Sequence, residues 1–243
     1  VIAFNGEIYN HLDLRRELEK FGASHGAILA WRGHSDTETL LAGFASWGIR
    51  ETVERCIGMF AFAVWDKRER VLTLGRDRLG EKPLYYGWNG HGDKATFLFG
   101  SELKALKTHP AFSAAINREA LALLMRHNYV PAPHSIYQGT HKLLPGALLT
   151  ISLARREPKI ERYWSLVDVA VAGNREPLHG SPDRMIDELE SLLKSSVRQQ
   201  MVADVPLGAF LSGGIDSSTV VALMQAQSQR AVKTFTIGFN EAG

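Results

Sequence analysis

The first half of the chain alternates apolar stretches with short polar connections. Two stretches carry apolar residues at helical spacing, one after Asn10 and one that begins at Ser35. Four shorter apolar runs have the length of strands and lie between turn residues. They cover residues 59–65, 71–74, 84–88 and 96–99. Because these runs follow one another without intervening helices, we predict antiparallel strands with helices on the outside, an α+β arrangement.

The pattern changes in the last seventy or so residues. Residues 172–183 are polar and rich in glycine and proline, as is typical of a linker. A helix is predicted after Ser181, with Pro182 at its first position. Then follow a buried strand at 205–211, a loop at 212–216, a helix at 217–227 and a strand at 232–239. Strand, loop, helix and strand in this order predict the start of a parallel, doubly wound sheet.

These patterns divide the chain into two domains. We place the first domain at residues 1–165, a linker at 166–182 and the second domain at 183–243. Hydrophobic residues make up 45% of the chain and charged residues 22%, which excludes a disordered or fibrous protein. The 28 Lys and Arg residues exceed the 26 Asp and Glu residues by only two, which argues against binding to nucleic acid.

Two further classes are excluded by simple features. No apolar run approaches the ~20 residues that a membrane-spanning helix needs. The single cysteine, Cys56, excludes an internal disulfide and is compatible with a reducing compartment. Cys56 precedes an apolar strand and has no adjacent histidine, so we interpret it as a buried core residue. The nine histidines show no spacing typical of a transition-metal site.

The clearest chemical signal is SGGIDSS at residues 212–218. Glycines between a strand and a helix let the backbone approach an anion, and the helix N-terminus favours phosphate. The candidate phosphate contacts are Ser212, Gly213, Gly214, Asp216, Ser217 and Ser218. Asp216 is also a candidate ligand for a Mg²⁺ that bridges phosphate oxygens. The Gly-Lys-Ser/Thr of the nucleoside-triphosphatase P-loop is absent. The alternative is a glycine-rich turn capped by serine and aspartate.

A second candidate site lies near the start of the chain. The side-chain amide of Asn5 and the backbone N–H of Gly6 can converge on one oxygen atom, as an oxyanion hole requires. Asn-Gly is also a strong turn signal, and spacing alone leaves both interpretations open. Glu7 and Asp36 are acidic groups of the kind that bind an α-ammonium. Asp36 lies in SDTE, whose serine and glutamate match a capping box and leave the aspartate carboxylate free.

One charged segment is interpreted as structural. Five charged residues crowd a predicted turn between two strands: Arg76, Asp77, Arg78, Glu81 and Lys82. We expect a solvated cluster with internal ion pairs, because exposed charges at a turn ordinarily pair with one another and with water.

Taken together, the motifs resemble a known family. SGGIDSS is similar to the pyrophosphate-binding loop of the adenylating ATP pyrophosphatases. With FNGEIYN at 4–10, HSDTE at 34–38 and RDRLGEKPLYYG at 76–87, it resembles glutamine-hydrolysing asparagine synthetase over nearly the whole chain. The resemblance implies an N-terminal nucleophile (Ntn) hydrolase-type glutaminase domain. The start of an α/β doubly wound adenine-nucleotide-binding domain would follow it.

The resemblance also implies an activity and its partners. Ammonia released from glutamine would convert aspartate to asparagine with ATP and Mg²⁺, forming AMP and pyrophosphate in the cytoplasm. Asn5 and Gly6 would form the oxyanion hole, and Glu7 and Asp36 would bind the glutamine ammonium. Leu211 and Ile237, which chemistry alone places in the core, would hold the adenine through backbone contacts. The serines, glycines and aspartate of residues 212–218 would bind ATP.

Three points depart from the family or stay open. In the family, the nucleophilic cysteine and the arginine that binds the glutamine carboxylate are expected before Val1. Most of the synthetase domain is expected after Gly243. We therefore expect the chain to be a piece of a longer protein. An alternative is a relative that amidates another carboxylate, although the intact NGE and SDTE motifs speak against a β-lactam synthetase. Another is a non-catalytic binding domain that retains the fold. The sequence does not decide the oligomeric state, a homodimer being one option.

Overall fold

A computed structural model describes residues 1–90, 92, 95–203 and 205–238. The chain forms two compact units, Val1–Val171 and Ala172–Gly243, and each is described by itself.

The first unit contains antiparallel strands with helices around them, as the pattern predicts. Its strands are β1 (Ile2–Ile8), β2 (Gly58–Asp66), β3 (Val71–Arg76), β4 (Tyr85–Asn89), β5 (Thr96–Gly100), β6 (His141–Lys142), β7 (Ala147–Ser152) and β8 (Lys159–Arg162). Its helices are α1 (His11–Ser24), α2 (Asp36–Ser46), α3 (Ile49–Arg55), α4 (Leu103–Lys107) and α5 (Arg118–His127). A further helix, α6 (Leu166–Arg175), crosses the boundary between the units and occupies part of the predicted linker.

The strands form two sheets. One has the order β1-β2-β3-β7-β8 and the other the order β5-β4-β6, and every pairing in both is antiparallel. The predicted hairpin of residues 84–88 and 96–99 is confirmed by the pairing of β4 with β5.

Two cores lie on opposite faces of the larger sheet, and β2 contributes to both. Phe60 and Phe62 point to a core that includes Leu14, Leu40 and Val53 from helices α1, α2 and α3. Between them, small residues of β2 pack against the second sheet in the other core, which includes Ala61, Ala63, Leu84 and Tyr86. The two faces differ because side chains alternate along a strand. Burial of each phenylalanine contributes roughly 1.5–3 kcal/mol to stability. The unit therefore stacks helices, sheet and sheet.

The expectation of a solvated charge cluster at residues 76–82 is wrong. Arg76 is 9% exposed and Asp77 1% exposed. The Arg76 guanidinium donates to the backbone oxygens of Lys82, Gly80 and Leu143 at 2.8, 2.6 and 2.6 Å. Burial lowers the pKa of this arginine. Among the described residues, no ion pair joins the five charged side chains, because backbone groups satisfy the buried ones.

Asp77 stabilises the same loop by accepting hydrogen bonds from its backbone. Its carboxylate accepts hydrogen bonds from four backbone N–H groups, which belong to Phe60, Leu79, Glu81 and Lys82. Three of these donors shape the loop after β3, and the Phe60 donor ties the loop to β2. A buried carboxylate is tolerated here because each oxygen has two donors.

The second unit contains the predicted strand, helix and strand. Helix α7 (Pro182–Gln200) begins after Ser181, whose hydroxyl accepts from the Arg184 N–H at 3.4 Å. Strands β9 (Gly208–Phe210) and β10 (Lys233–Phe235) are parallel, and α8 (Ile215–Ala226) connects them. Of the strand predicted at 232–239, Phe239 lies outside the described residues.

The burial predicted for the strand at 205–211 is wrong for this unit as described. Val205 is 70% and Phe210 75% exposed, and the apolar stripe of α7 at Met185, Leu189 and Leu192 is exposed as well. Two short strands and two helices cover too little of each other's surface to bury these side chains. Among all the described residues, no helix is long and apolar enough to span a membrane.

We expect Asp77→Ala to destabilise the first unit by about 3 kcal/mol or more, because four backbone N–H groups lose a charged acceptor. Urea unfolding followed by fluorescence measures this loss. Asp66→Ala is the matched control, since Asp66 accepts from two backbone N–H groups in an exposed turn. A loss for Asp77→Ala no larger than that of the control would contradict the role of Asp77.

Candidate active site

The candidate site lies along the outer edge of β1, which is the first strand of the larger sheet. Val1 and Trp65 exchange both backbone hydrogen bonds, and the Tyr9 N–H donates to the Ile57 carbonyl at 2.8 Å. Hydrogen-bonded and non-hydrogen-bonded pairs alternate along an antiparallel ladder. The odd residues of β1 therefore direct their N–H groups to β2. The N–H groups of Gly6 and Ile8 point away from β2, toward the edge.

Asn5 lies inside β1, so the interpretation of Asn5-Gly6 as a turn is wrong. Its side chain lines a cleft of about 340 Å³ between the two sheets, together with Ala61, Phe99 and Ser101. The Nδ2 atom of Asn5 donates to the Ser101 Oγ at 3.0 Å. A primary amide has two N–H bonds, so the second is available to a ligand oxygen. Asn5 thus has a second amide N–H available at the cleft, and the next residue, Gly6, has an outward backbone N–H.

Gly6 is required by the strand pairing itself. A Cβ at this position would lie 2.3 Å from the Met59 carbonyl oxygen and 2.6 Å from the Phe60 Cα. Both atoms belong to backbone and cannot move aside without separating β1 from β2. The glycine therefore allows β1 and β2 to approach closely in this register. The register in turn directs the Gly6 N–H away from β2.

Asp36 is not free, contrary to the expectation from the capping box. Its Oδ2 accepts from the outward N–H of Ile8 at 2.9 Å. Ser35 caps α2 through the Thr37 N–H, as predicted. Glu38 does not reach back to Ser35 but accepts from the N–H groups of Arg32 and Gly33. The Arg32 N–H is the main cause that lowers the pKa of Glu38.

The bond to Ile8 places Asp36 on the same edge as Gly6. Two residues of an antiparallel strand span about 6.8 Å. The carboxylate is therefore about this far along the edge from the Gly6 N–H, a separation of the order of the length of an amino acid such as glutamine.

Arg15 holds the start of α2 in place, and sequence reasoning missed it. Its guanidinium donates to the Thr39 hydroxyl at 2.8 Å and to the backbone oxygens of Gly33 and Ser35 at 2.8 and 2.9 Å. The available signal was its position three residues before Leu18, on the face of α1 that the pattern predicts to be buried. By fixing Ser35, Arg15 also fixes the neighbouring Asp36.

Negative charge accumulates beyond the end of β1. Burial raises the pKa of Tyr9, and the charges of Glu81, Glu7 and Asp77 raise it further. Burial and the charge of Asp77 likewise raise the pKa of Glu81. Burial is the main cause of both shifts, and the smaller charge contributions indicate that Glu7, Glu81 and Asp77 lie near Tyr9. Acidic side chains therefore gather near this end of the edge, together with Asp36 beside Ile8, while Lys82 offsets the charge of Glu81.

Cys56 belongs to the core between the sheet and the helices. It is 1% exposed, and burial raises the pKa of its thiol to about 12. The thiol is therefore protonated at neutral pH and inaccessible to a substrate.

The glycine loop of the second unit connects β9 to α8. Gly213 has a φ of +81°, a conformation that favours glycine, and no atom lies within 4 Å of a Cβ built there. The hydroxyls of Ser212 and Ser217 are 3.0 Å apart, and Ser217 also donates to the Gly214 carbonyl. Asp216 and Ser218 are exposed in the first turn of α8. The loop is exposed at the N-terminus of α8, where backbone N–H groups favour an anion.

The two proposed adenine-contact residues differ in environment. The Leu211 N–H donates to the Phe235 carbonyl at 2.9 Å, and the Leu211 carbonyl accepts from the Thr236 hydroxyl at 2.7 Å. Ile237 is 71% exposed, so its chemical assignment to the core is wrong in this unit. Both residues follow the ends of the parallel strands, beside the glycine loop.

Family comparison agrees with this division of chemistry. Residues 1–164 match the family described as "Glutamine amidotransferase domain". The chain belongs to the glutamine amidotransferase family. Residues 188–243 match a second family, described as "Asparagine synthase".

Curated relatives match nearly the whole chain. The chain is 38% identical over 242 residues to a putative glutamine-hydrolysing asparagine synthetase 2 of Methanocaldococcus jannaschii, and the match covers 98% of the chain and 43% of that relative. The chain is 35% identical to the glutamine-hydrolysing asparagine synthetase 3 of Bacillus subtilis, and this match covers 99% of the chain and 37% of the relative. The asparagine synthetase B of Escherichia coli is 31% identical, with coverage of 96% and 34%. The chain thus spans less than half the length of these relatives.

The structure brings the predicted residues together only in part. Asn5, Gly6 and Glu7 belong to β1, and Asp36, the first residue of α2, reaches the edge of that strand through the Ile8 N–H. The residues of the glycine loop lie together in the other unit. Two further contacts were not predicted, that of Ser101 with Asn5 and that of Arg15 with the segment before α2. Among the described residues, no group of three or more His, Cys, Asp and Glu side chains is placed to hold a metal.

We expect Cys56 to resist alkylation by iodoacetamide at pH 8 in the folded protein. A rise of the thiol pKa to about 12 lowers the thiolate population about a thousandfold relative to the same cysteine after unfolding. Peptide mass spectrometry before and after addition of guanidinium measures the difference. Rapid labelling of the folded protein would contradict the burial of this thiol.

Proposed function

We propose that the chain is part of an ATP-dependent, glutamine-hydrolysing asparagine synthetase, with a glutaminase at residues 1–165 and the start of the synthetase domain at 183–243. The observation that carries the proposal is the edge of β1. There, one strand presents the amide of Asn5, the N–H of Gly6 and, through Ile8, the carboxylate of Asp36. The names of the curated relatives support the choice of asparagine as product.

Glutamine fits this edge in one orientation. Its α-ammonium would lie near Asp36 and Glu7, where the carboxylates at the end of β1 favour a cation. Its side-chain carbonyl would then reach the Asn5 amide and the Gly6 N–H. When a nucleophile adds to that carbonyl, negative charge develops on the oxygen, and these two donors stabilise it more strongly than they bind the neutral amide.

The nucleophile is proposed to come from outside residues 1–243. Cys56 is protonated and enclosed in the core, so it cannot attack a bound glutamine. The resemblance implies a cysteine at the mature N-terminus of the protein, whose own α-amine accepts the thiol proton. An Ntn hydrolase fold for the first unit is part of the same proposal, supported by its antiparallel sheets and outer helices.

The glycine loop is proposed to bind ATP. The N–H groups at the start of α8 and the hydroxyls of Ser212, Ser217 and Ser218 would contact the β- and γ-phosphates. Leu211 and Ile237 would contact the adenine at the ends of the parallel strands.

An exposed carboxylate beside a phosphate loop suits Mg²⁺, which usually binds through one or two carboxylates together with substrate phosphates. Asp216 therefore fits as its ligand. When bound, Mg²⁺ neutralises charge on the phosphate oxygens.

The ammonia acceptor is proposed to be aspartate. Its side-chain carboxylate would attack the α-phosphorus of ATP, with pyrophosphate leaving. Ammonia would then attack the acyl carbon of the adenylate, and AMP would leave. We propose a cytoplasmic location, because the substrates are small metabolites and a single cysteine is compatible with a reducing compartment.

We expect Asn5→Ala in the full-length gene product to lower glutamine-dependent asparagine formation roughly 10²–10³-fold, the usual loss for one oxyanion donor. Synthesis from free ammonia should continue at the normal rate, because ammonia bypasses the amide hydrolysis. Product formation with each nitrogen source measures both.

Asn10→Ala is the matched control for that experiment. The Asn10 side chain bonds to the backbone of Arg55 and Ile57, away from the edge of β1. This variant should retain synthesis from both nitrogen sources, because it removes no proposed oxyanion donor. A glutamine-dependent loss in Asn10→Ala as large as that in Asn5→Ala, or equal losses with glutamine and ammonia in Asn5→Ala, would contradict the proposed role of Asn5.

We expect Asp216→Ala to abolish aspartate-dependent release of pyrophosphate while glutamine hydrolysis persists. Asp183→Ala is the control, since Asp183 occupies the first turn of the other helix of the same unit. An enzymatic pyrophosphate assay and an ammonia assay on both variants test this. Formation of ADP and orthophosphate would contradict the adenylation chemistry.

A further inference from the structure

We propose that Ser101 is a positioning residue for the oxyanion donor: its hydroxyl orients the Asn5 amide toward the glutamine carbonyl. This inference rests on the proposed glutaminase function and adds a residue to that site. The observation behind it is the 3.0 Å hydrogen bond from the Asn5 Nδ2 to the Ser101 Oγ.

The Asn5 side chain needs an external partner to hold one orientation. It is exposed and lies on the edge strand β1, and two of its neighbours on the same face, Ala3 and Ala61, are small. Their methyl groups leave room for rotation about the asparagine χ angles and cannot bond to the amide. A rotating amide would present its carbonyl oxygen to the oxyanion for part of the time, which would repel rather than stabilise it.

The bond to Ser101 restricts this rotation. In the structure the hydroxyl oxygen accepts one of the two amide hydrogens, so the NH₂ group, rather than the carbonyl oxygen, lies on the Ser101 side of the cleft. The second hydrogen stays available beside the Gly6 N–H. A donor oriented before the substrate arrives needs no rearrangement during the reaction, which is the condition for effective electrostatic stabilisation.

Ser101 is itself held by a different part of the fold. It follows the last residue of β5, in the smaller sheet, and precedes α4. Helix α4 packs closely on β5. A Cβ at Gly100 would lie only 3.0 Å from the Leu106 Cδ1. The Ala105 N–H bonds to the Glu102 carbonyl and closes the first turn of α4. The hydrogen bond therefore spans the cleft and ties the oxyanion donor to the second sheet.

The test compares variants of the full-length gene product. We expect Ser101→Ala to lower the kcat of glutamine hydrolysis roughly 10- to 100-fold, the usual range for a misoriented catalytic group, with the KM for glutamine within about twofold. Ser101→Thr keeps the hydroxyl and should retain most of the activity. Asparagine synthesis from free ammonia and the Tm should be unchanged in both variants. Ser113→Ala, at an exposed serine of the same unit, is the control for replacing a serine.

A double substitution separates positioning from independent effects. If Ser101 acts only through Asn5, the variant with Asn5→Ala and Ser101→Ala should be no slower than Asn5→Ala alone. Additive losses, an unchanged kcat in Ser101→Ala or equal losses with glutamine and ammonia would overturn the positioning role. Normal glutamine hydrolysis by Asn5→Ala would instead show that the proposed oxyanion hole is wrong, and the role of Ser101 would fall with it.

Discussion

The register between β1 and β2 is the constraint on which the candidate site depends. Pairing of Gly6 with Phe60 and of Asn5 with Ala61 decides which backbone groups face the neighbouring strand and which face outward. It also decides which side chains enter the cleft. A slip of one residue would turn Asn5 toward the helices and direct the Gly6 N–H into the sheet. The clash that any Cβ at Gly6 would make with β2 shows how closely the backbones approach at this point.

The surroundings of that strand pair are held by buried polar groups rather than by apolar contacts alone. Asp77 ties the loop after β3 to the backbone of Phe60, directly opposite Gly6. Arg15 fixes the turn before α2 and so brings Asp36 to the Ile8 N–H. Each of these charged groups is satisfied by backbone donors or acceptors, which makes its position specific. The loops beside the site are thus built around single side chains, one acidic and one basic.

The same arrangement explains why structural and chemical roles coincide at several residues. Ser35 caps a helix while its neighbour Asp36 reaches the strand edge, and Gly6 permits strand pairing while it supplies an outward N–H. The sequence already allowed Ser35 to cap the helix while Asp36 serves another role. The turn interpretation of Asn5-Gly6 is instead wrong, because both residues lie inside β1.

Local patterning determined much of this protein. The apolar runs predicted β2, β3, β4 and β5 and their antiparallel order, and the helices after Asn10, Ser35 and Ser181 begin where capping residues indicated. The glycine loop before α8 was also predicted, since glycines, hydroxyls and an acid adjacent in the chain stay adjacent in space. Only the tertiary structure decided the burial of Arg76 and Asp77, the bond of Asp36 to Ile8, and the pairing of Asn5 with Ser101. These contacts join residues far apart in the chain, and whether a charge is solvated or enclosed depends on which elements pack over it, which no local spacing encodes.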